Sequence, residues 1–377
     1  MIEKQLFQII RHYVNNEPVK AEIDWKQVWK LAKKHSLGQF VCSYMYELPA
    51  EKRPEETLQR IISNYQAMMV VCQANQDFAA EKIHSSLEEK KCFHLFIKGS
   101  VTKYRYPDSF YRSMGDIDFL YRESQHELVK ASLLENGFSD YEQGRKNDTY
   151  YMRPYVCVEA HRQLVPSDSS FFDYCSDVWT RAKLVKGNKY YYAMTLEDEF
   201  IFNIIHLAIH FLEGGAGIRF ILDVYVYNHL QMDKEYVRKE LEKLDLLEFY
   251  NNISDLAENW FGNGEATAIS EKLSDFVLRN GTFGTKENAS ALAVKDGRWK
   301  HLLKLCFPSY QEMISIYPWL KGKIGILPVA WLIRGFGVLK NKKGKLQAQI
   351  KKVKRGNTSI GKNLQDFYLE CGLRSKL

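Results

Sequence analysis

The sequence predicts an α+β fold in which a small mixed β-sheet is flanked by an N-terminal and a C-terminal helical region. Apolar residues recur at spacings of three and four in the first 90 residues and again after Thr195, whereas the short apolar runs between these regions are typical of strands. A chain of 377 residues that is 45% hydrophobic and 14% aromatic has a globular composition with room for two or three domains.

We expect four regions along the chain, because the pattern changes three times. They are an N-terminal helical region at residues 1–90, an α+β core at 91–194, a helical domain packed on the functional site at 195–290, and a basic helical region at 291–377. The first region has few glycines and no proline after Pro54, which favours long helices.

Three short apolar runs predict the strands of the core. They are FHLFI at 93–97, GDIDFLY at 115–121 and YVCVEAH at 155–161. The run ESQHELVKASLLENG at 123–137 predicts a helix between the last two strands. A further hairpin is expected in KLVKGNKYYYAM, with its turn at Gly187-Asn188.

The helical pattern returns after the core with clear boundary signals. Thr195 and Asp198 have the spacing of a helix cap and its partner before the apolar run FIFNIIHLAIHFL. The GGAG segment at 214–217 ends that helix, and IRFILDVYVYNHL at 218–230 begins the next.

Four polar residues interrupt these two apolar helices. His206 and His210 lie four residues apart, but the residue after His206 is Leu207, so the zinc-protease pattern is absent and hydrogen-bonded core histidines are expected. Arg219 and Asp223 interrupt the next helix in the same way.

The positive charge of the chain is concentrated at its C-terminal end. Residues 295–377 hold 18 Lys and Arg against 4 Asp and Glu, which leaves 35 against 42 for residues 1–294. This is either a solvated helical surface or a contact with something anionic, such as membrane headgroups or a phosphorylated acceptor. The apolar segment at 316–339 has at most ten uncharged residues in a row, at 324–333, which predicts a core or interfacial helix and not a transmembrane one.

The cysteines and the first residues predict a cytoplasmic protein. The seven cysteines are widely spaced and form no Cys-x-x-Cys pair, which favours reduced thiols over disulfides or a structural zinc site. The first 20 residues carry charges within their apolar positions, unlike a secretory signal.

The second predicted strand carries two aspartates one residue apart. Asp116 and Asp118 would project from the same face while Ile117 and Phe119 enter the core. Adjacent carboxylates repel each other, and a divalent cation bound to their oxygens is the usual compensation. The pair therefore predicts a metal-dependent phosphoryl-type transfer site.

The order of strand, Gly-Ser, helix and Asp-x-Asp resembles the nucleotidyltransferase superfamily that includes polymerase beta and the small antibiotic-modifying nucleotidyltransferases. It is most similar to a bacterial group of uncharacterised nucleotidyltransferases. The motifs that match this group are Lys98-Gly99-Ser100, Tyr106-Pro107, and Arg112 before Asp116-Ile117-Asp118. Residues 35–40, 158–164 and 206–224 also resemble recurring segments of the group. This resemblance implies that the helical layer carrying His206, His210, Arg219 and Asp223 lines the nucleotide or acceptor pocket.

This resemblance implies two-metal transfer with an NTP as substrate and Mg²⁺ as the cofactor. Asp116 and Asp118 would ligate the metals, and Glu159 is the candidate for the third carboxylate that the superfamily carries on a neighbouring strand. Strand alternation places Glu159 on one face with Cys157 and His161. Glu159 would complete the metal site and orient or deprotonate the acceptor, and the alternative is a solvated residue at a strand end.

Four residues are predicted to bind the nucleotide phosphates. Gly99 lets the backbone approach a phosphate, and Ser100 adds a hydroxyl donor at a helix start. Arg112 offers a forked guanidinium, with a surface salt bridge as the alternative. Lys98 is either a phosphate contact or a charge at the end of a strand. The loop between Ser100 and Asp116 is longer than in the smallest members of the superfamily.

These features together predict a nucleotidyltransferase that moves a nucleoside monophosphate from an NTP to a hydroxyl-bearing acceptor and releases pyrophosphate. The acceptor is left open among a small molecule, a glycan precursor and a protein. Two alternatives stand beside it: a catalytically silent nucleotide-binding or partner-binding protein of the same fold, and a membrane-surface protein that uses the basic C-terminal region. No nucleic-acid reading motif is recognisable, so no templated nucleic acid is expected.

Overall fold

The computed structural model describes residues 2–144, 146–282, 284–294, 297, 306–310, 313–314, 317–341 and 357–374. Its α-helices are α1 (Ile2–Asn15), α2 (Trp25–Lys34), α3 (Gly38–Glu47), α4 (Glu56–Glu89), α5 (Gly99–Thr102), α6 (His126–Glu135), α7 (Phe172–Ser176), α8 (Val178–Arg181), α9 (Leu196–Glu213), α10 (Ile218–Asn228), α11 (Lys234–Lys243), α12 (Leu247–Phe261), α13 (Ala268–Arg279), α14 (Lys286–Ala293), α15 (Leu327–Asn341) and α16 (Thr358–Glu370). Its strands are β1 (His94–Phe96), β2 (Ile117–Tyr121), β3 (Ser139–Gln143), β4 (Asn147–Met152), β5 (Val156–His161), β6 (Lys183–Leu184) and β7 (Tyr192–Ala193).

The N-terminal helices share a hydrophobic core with the helices that follow the sheet. Leu6 and Phe40 of α1 and α3 belong to the same buried cluster as Ile204 of α9 and Ile253 of α12. The ring of Phe7 stacks on Trp260 with centroids 4.7 Å apart, so α1 packs directly on α12. The helical character of residues 2–89 follows from the apolar spacing, while the boundaries of the four predicted regions stay a prediction.

A five-stranded sheet lies between these helical parts, in the order β1-β2-β5-β4-β3. The β2–β5 pair is parallel and the other three pairs are antiparallel. The predicted α+β class with a small mixed sheet is thus confirmed. The strands β1, β2 and β5 occupy the three predicted apolar runs, and the β6–β7 hairpin turns at Gly187, which has φ +90°.

The β3–β4 hairpin was not predicted. The segments SDYEQ and NDTYYM consist mainly of polar residues and lack the apolar alternation that marks a half-buried strand. They become strands because the backbone of β4 pairs with β5 over the length of both strands, from Asn147 opposite His161 to Met152 opposite Val156. Tertiary pairing therefore overrides a weak local preference.

The two faces of the sheet have different surroundings. Ile117, Phe119, Val158 and Ala160 enter a buried cluster with the side chains of α4 and α6. Residues of β2 and β5 on the opposite face alternate with them and point towards α9 and α10. The carboxylates predicted from the sequence lie on this second face.

The boundaries of α9 form as the sequence predicts. The Thr195 hydroxyl accepts a hydrogen bond of 3.1 Å from the Asp198 amide at the helix start. The helix ends at Gly214 with φ +133°, where a β-carbon would lie 3.0 Å from the backbone nitrogen of Ala289. Only glycine suits this position, because its backbone angle and its close neighbour both exclude a side chain.

The C-terminal region is described in part. α15 covers much of the apolar segment, and within the described residues no helix is both long and apolar enough to cross a membrane. Residues 291–377 were predicted to be helical, and the described helices α15 and α16 lie within this range. Residues 342–356, which carry many of the predicted basic residues, lie outside the described residues.

Candidate active site

Two carboxylates meet at the centre of the sheet. Asp118 of β2 lies directly opposite Glu159 in the parallel register with β5. Both side chains leave the sheet on the same face, because their sequence neighbours Ile117, Phe119, Val158 and Ala160 are in the core on the other face. Alternation predicted the face of each residue, and the register places the two carboxylates side by side.

Lys98 and His161 hold the Asp118 carboxylate. Lys98 Nζ and His161 Nε2 lie 2.6 Å and 2.7 Å from Asp118 Oδ1. The same two nitrogens lie 3.7 Å and 3.3 Å from Glu159 Oε2. Asp118 is almost fully buried, whereas the Glu159 side chain is 27% exposed. The cluster therefore has one inner and one accessible carboxylate.

The charges of this cluster explain why both acids are deprotonated. Burial raises the pKa of Asp118, but the positive charge of Lys98 and the hydrogen bond from His161 outweigh it and hold the pKa below its usual range. The hydrogen bond from His161 is the largest influence on Glu159 and lowers its pKa despite burial. Both groups are carboxylates at neutral pH.

Asp116 lies one residue before β2 and is only partly buried. Burial, followed by repulsion from Asp118, raises the pKa of Asp116 to about 7. Lys98 opposes this shift without cancelling it. Asp116 is thus the acid of the site whose negative charge the protein compensates least.

The Gly-Ser motif connects Lys98 to β2. Lys98 has φ +52°, an uncommon backbone angle for a residue with a side chain, and such strain clusters at functional sites. A β-carbon on Gly99 would lie 3.0 Å from that of Met114, so a larger residue would push the loop outward. Ser100 Oγ accepts a 2.9 Å hydrogen bond from the Asp118 amide, which ties the motif to the strand beside the carboxylate.

The four-residue helix α5 uses its first amides internally. Ser100 N donates to Ile97 O at 3.2 Å, and Val101 N donates to Lys98 O at 3.1 Å. These amides point into the turn, so the part of the motif that faces the cavity is the Lys98 side chain and the backbone at Gly99.

Arg112 is buried in a network with α10. Its Nε and Nη2 donate to the two oxygens of Asp223 at 2.6 Å and 2.8 Å, and the Tyr106 hydroxyl donates to Asp223 Oδ1 at 2.7 Å. Its Nη1 donates to Ser113 O at 2.7 Å, and Arg219 Nη1 donates to the same carbonyl at 3.2 Å. The network anchors the loop that leads to Asp116.

A cavity of about 320 Å³ opens beside these groups. The charged and imidazole side chains that line it are Lys98, Arg112, Asp116, Asp118, Lys146, Glu159, His206, His210, Glu213, Arg219 and Asp223. The predicted site residues other than Ser100 therefore share one cavity with residues of α9 and α10. Ser100 reaches the site through the Asp118 amide.

His206 and His210 form a pair on the α9 side of the cavity. Their Nε2 atoms are 3.1 Å apart. Burial, followed by the influence of neighbouring cations, lowers the pKa of His210 to about 4, and burial also depresses the pKa of His206. Both are neutral imidazoles at pH 7, as expected for hydrogen-bonded histidines.

The sequence prediction missed two residues of the site. His161 lies two positions after Glu159, and the same alternation placed it on the correct face, but no role was assigned to it. Lys146 lies in the unpredicted β3–β4 hairpin, where burial and then the charge of Lys98 lower its pKa. A sequence signal existed for His161, whereas Lys146 depends on strand pairing.

Comparison with known proteins agrees with this site. The model of a family described as an uncharacterised nucleotidyltransferase matches residues 21–262, which include the whole sheet and the helices around the cavity. No curated protein and no solved structure matches the chain. The family match covers more than half of the chain and confirms the resemblance inferred from its motifs. The chain therefore belongs to this family of nucleotidyltransferases, enzymes that transfer phosphorus-containing groups.

Proposed function

We propose that the protein is a Mg²⁺-dependent enzyme that transfers a nucleoside monophosphate from an NTP to a hydroxyl-bearing acceptor. The observation that carries the proposal is the pairing of Asp118 and Glu159 on adjacent parallel strands, with Asp116 beside them in the same cavity. Membership of the family implies a nucleotide substrate.

The donor set of this cavity fits a divalent cation. Ligand atoms of Asp118, Glu159 and His161 lie within 4.8 Å of one another. Carboxylate oxygens are the ligands that Mg²⁺ prefers. Burial and repulsion from Asp118 raise the pKa of Asp116, so a cation bound beside it would stabilise its charged form. We therefore assign the metal to Asp116, Asp118 and Glu159, and to His161 the task of orienting Asp118 by its hydrogen bond.

When bound there, Mg²⁺ would neutralise negative charge on the nucleotide phosphates. The residues of the chain orient the two reactants. Glu159 is the accessible carboxylate and accepts a hydrogen bond from the acceptor hydroxyl. This hydrogen bond aligns the acceptor oxygen with the α-phosphorus, and Glu159 receives the proton of the hydroxyl. A bond forms between the acceptor oxygen and the α-phosphorus, the bond to the bridging oxygen breaks, and pyrophosphate leaves with the displaced electron pair.

The phosphate contacts in this proposal lie at the Gly-Ser motif. The ammonium group of Lys98 lines the cavity and attracts the triphosphate. Gly99 allows close approach of the backbone, and Ser100 supports this contact from behind through the hydrogen bond that its hydroxyl oxygen accepts from the Asp118 amide. Arg112 contributes its charge from the cavity wall while its fork holds Asp223.

The test is transfer of label from each α-³²P-labelled NTP to components of a cell extract, with MgCl₂ or EDTA. Asp118→Asn removes a charge but little volume, and loss of several kcal/mol of charge stabilisation lowers the rate by about 1,000-fold. Glu142→Gln is the matched control, because Glu142 is an exposed carboxylate in the same sheet. Its partner in the register of β3 and β4 is Thr149, and the partner of Thr149 in the register of β4 and β5 is Glu159.

Three results would decide against the proposal. Equal transfer by the wild type and Asp118→Asn would show that the carboxylates are not required. Undiminished transfer in EDTA would exclude the metal. Calorimetric NTP binding without transfer to any acceptor would favour the catalytically silent nucleotide-binding protein.

A further inference from the structure

We propose that residues 319–333, which we call the interfacial segment, form a docking surface for an anionic lipid bilayer. It lies outside the family match and away from the cavity. The segment contains Trp319, a short turn at Ile324–Ile326 and the first half of α15. Its apolar side chains divide into an inner and an outer set.

The inner set holds the segment in a defined orientation. Leu320 and Ala330 are fully buried against Met313 in a small separate core. Trp331 Nε1 donates to Pro308 O at 2.9 Å, and the Tyr310 hydroxyl donates to Leu320 O at 3.0 Å. The outward face is therefore set by packing and not by a freely rotating helix.

The outer set is apolar although it faces solvent. The exposed fractions are Trp319 44%, Ile324 66%, Ile326 40%, Val329 52%, Leu332 64% and Ile333 46%. The spacing of Ile326, Val329, Leu332 and Ile333 places these four side chains on one side of the turn and helix. A solvent-facing helix ordinarily carries polar residues on that side, so a contiguous aliphatic face indicates a binding surface.

The charge around this face identifies its occupant as anionic. Lys321 and Lys323 are exposed next to Ile324. The described residues between 313 and 341 include four Lys and Arg and no Asp or Glu. A second copy of the chain would bring the same positive charge to the face, which disfavours self-association. Nucleic acid offers the negative charge but no partner for five exposed aliphatic side chains.

An anionic bilayer matches both properties at once. Aliphatic and tryptophan side chains enter the boundary between headgroups and acyl chains, while lysines attract the headgroup phosphates. Stable attachment to a membrane surface requires two such signals acting together. Since no described helix has the length and hydropathy to span a bilayer, the segment lies on the surface.

The experiment measures sedimentation of the full chain with vesicles of phosphatidylcholine alone or with 30% phosphatidylserine, at low and at high salt. Binding is expected only to the phosphatidylserine vesicles, with weakening as salt rises. Leu332→Asp and the Lys321→Glu/Lys323→Glu pair are each expected to reduce binding by about tenfold or more. Leu184→Asp is the control, because Leu184 is 49% exposed in the β6–β7 hairpin.

Circular dichroism spectra equal to those of the wild type show that each variant is folded. Absence of binding to phosphatidylserine vesicles at low salt would overturn the proposal, as would an equal loss in Leu184→Asp. Tight binding of a DNA oligonucleotide that is reduced by the lysine variant but not by Leu332→Asp, without vesicle binding, would identify a nucleic-acid surface instead. A dimer in sedimentation velocity that Leu332→Asp dissociates, without vesicle binding, would identify a self-association face.

Discussion

Replacing Asp223 by asparagine tests the network that anchors the loop leading to Asp116. The carboxylate receives two hydrogen bonds from Arg112 and one from Tyr106, between 2.6 Å and 2.8 Å. Arginine donors reach both of its oxygens. In Asp223→Asn the amide group must therefore face an arginine N–H in either orientation, and donor meets donor.

The expected cost is large because both partners are buried. Arg112 and Asp223 are each 6% exposed, so the variant leaves a guanidinium charge in the interior without its counter-ion. Breaking a buried pair in this way costs roughly 3–5 kcal/mol in the free energy of unfolding. The double variant Arg112→Met/Asp223→Leu removes both charges, and we expect it to cost less than the single change.

Urea unfolding followed by circular dichroism measures these differences from the midpoint and its slope. Asp275→Asn is the matched control, because Asp275 pairs with Arg279 at 3.5 Å on the surface and its loss should stay within about 0.5 kcal/mol. A cost below about 1 kcal/mol for Asp223→Asn would refute the reasoning. A double variant as unstable as the sum of its single changes would refute it too.

Three further outcomes are expected. Burial lowers the pKa of His94 to about 4, so the unfolded chain binds a proton there more readily than the folded chain and stability falls as the pH drops from 7 towards 4. Between pH 7 and 5 the loss of unfolding free energy measured by urea unfolding should be smaller in His94→Phe than in the wild type by about 2 kcal/mol, and equal losses would exclude this source. Thr195→Ala should lower the free energy of unfolding by about 1 kcal/mol through loss of the cap on α9, whereas Thr195→Ser should retain it; equal effects would show that the cap contributes nothing. MgCl₂ should stabilise the folded wild type by about 2.7 kcal/mol at 100 times Kd and therefore raise its melting temperature. An equal rise in Asp118→Asn would place the cation elsewhere.

Much of the site was predictable because it depends on local spacing. The period of two on β2 and β5 assigns Asp118 and Glu159 to a polar face and their neighbours to the core, and the structure has them there. The cap at Thr195 and the glycine at 214 likewise depend on a few adjacent residues. Such features follow from backbone geometry that short segments already possess.

Other features required partners that are distant in the chain. Arg112 was predicted to contact phosphate or to form a surface salt bridge, and it lies in a buried pair with Asp223, 111 residues away. Lys146 enters the cavity wall because β4 pairs with β5, although the hairpin sequence is polar. Neither partner can be inferred from spacing, since the contact forms only when separate elements pack.

The amino-acid sequence alone therefore established the α+β class, the two faces of β2 and β5 and the carboxylates that these strands carry, because these depend on periodicities of a few residues. Tertiary structure decided which groups surround those carboxylates and how strongly they hold their protons. Burial, repulsion from Asp118 and the positions of Lys98 and His161 separate the pKa of Asp116 from that of Asp118, although the two residues are the same acid two positions apart. Electrostatic environment is a property of packed space and not of chain order.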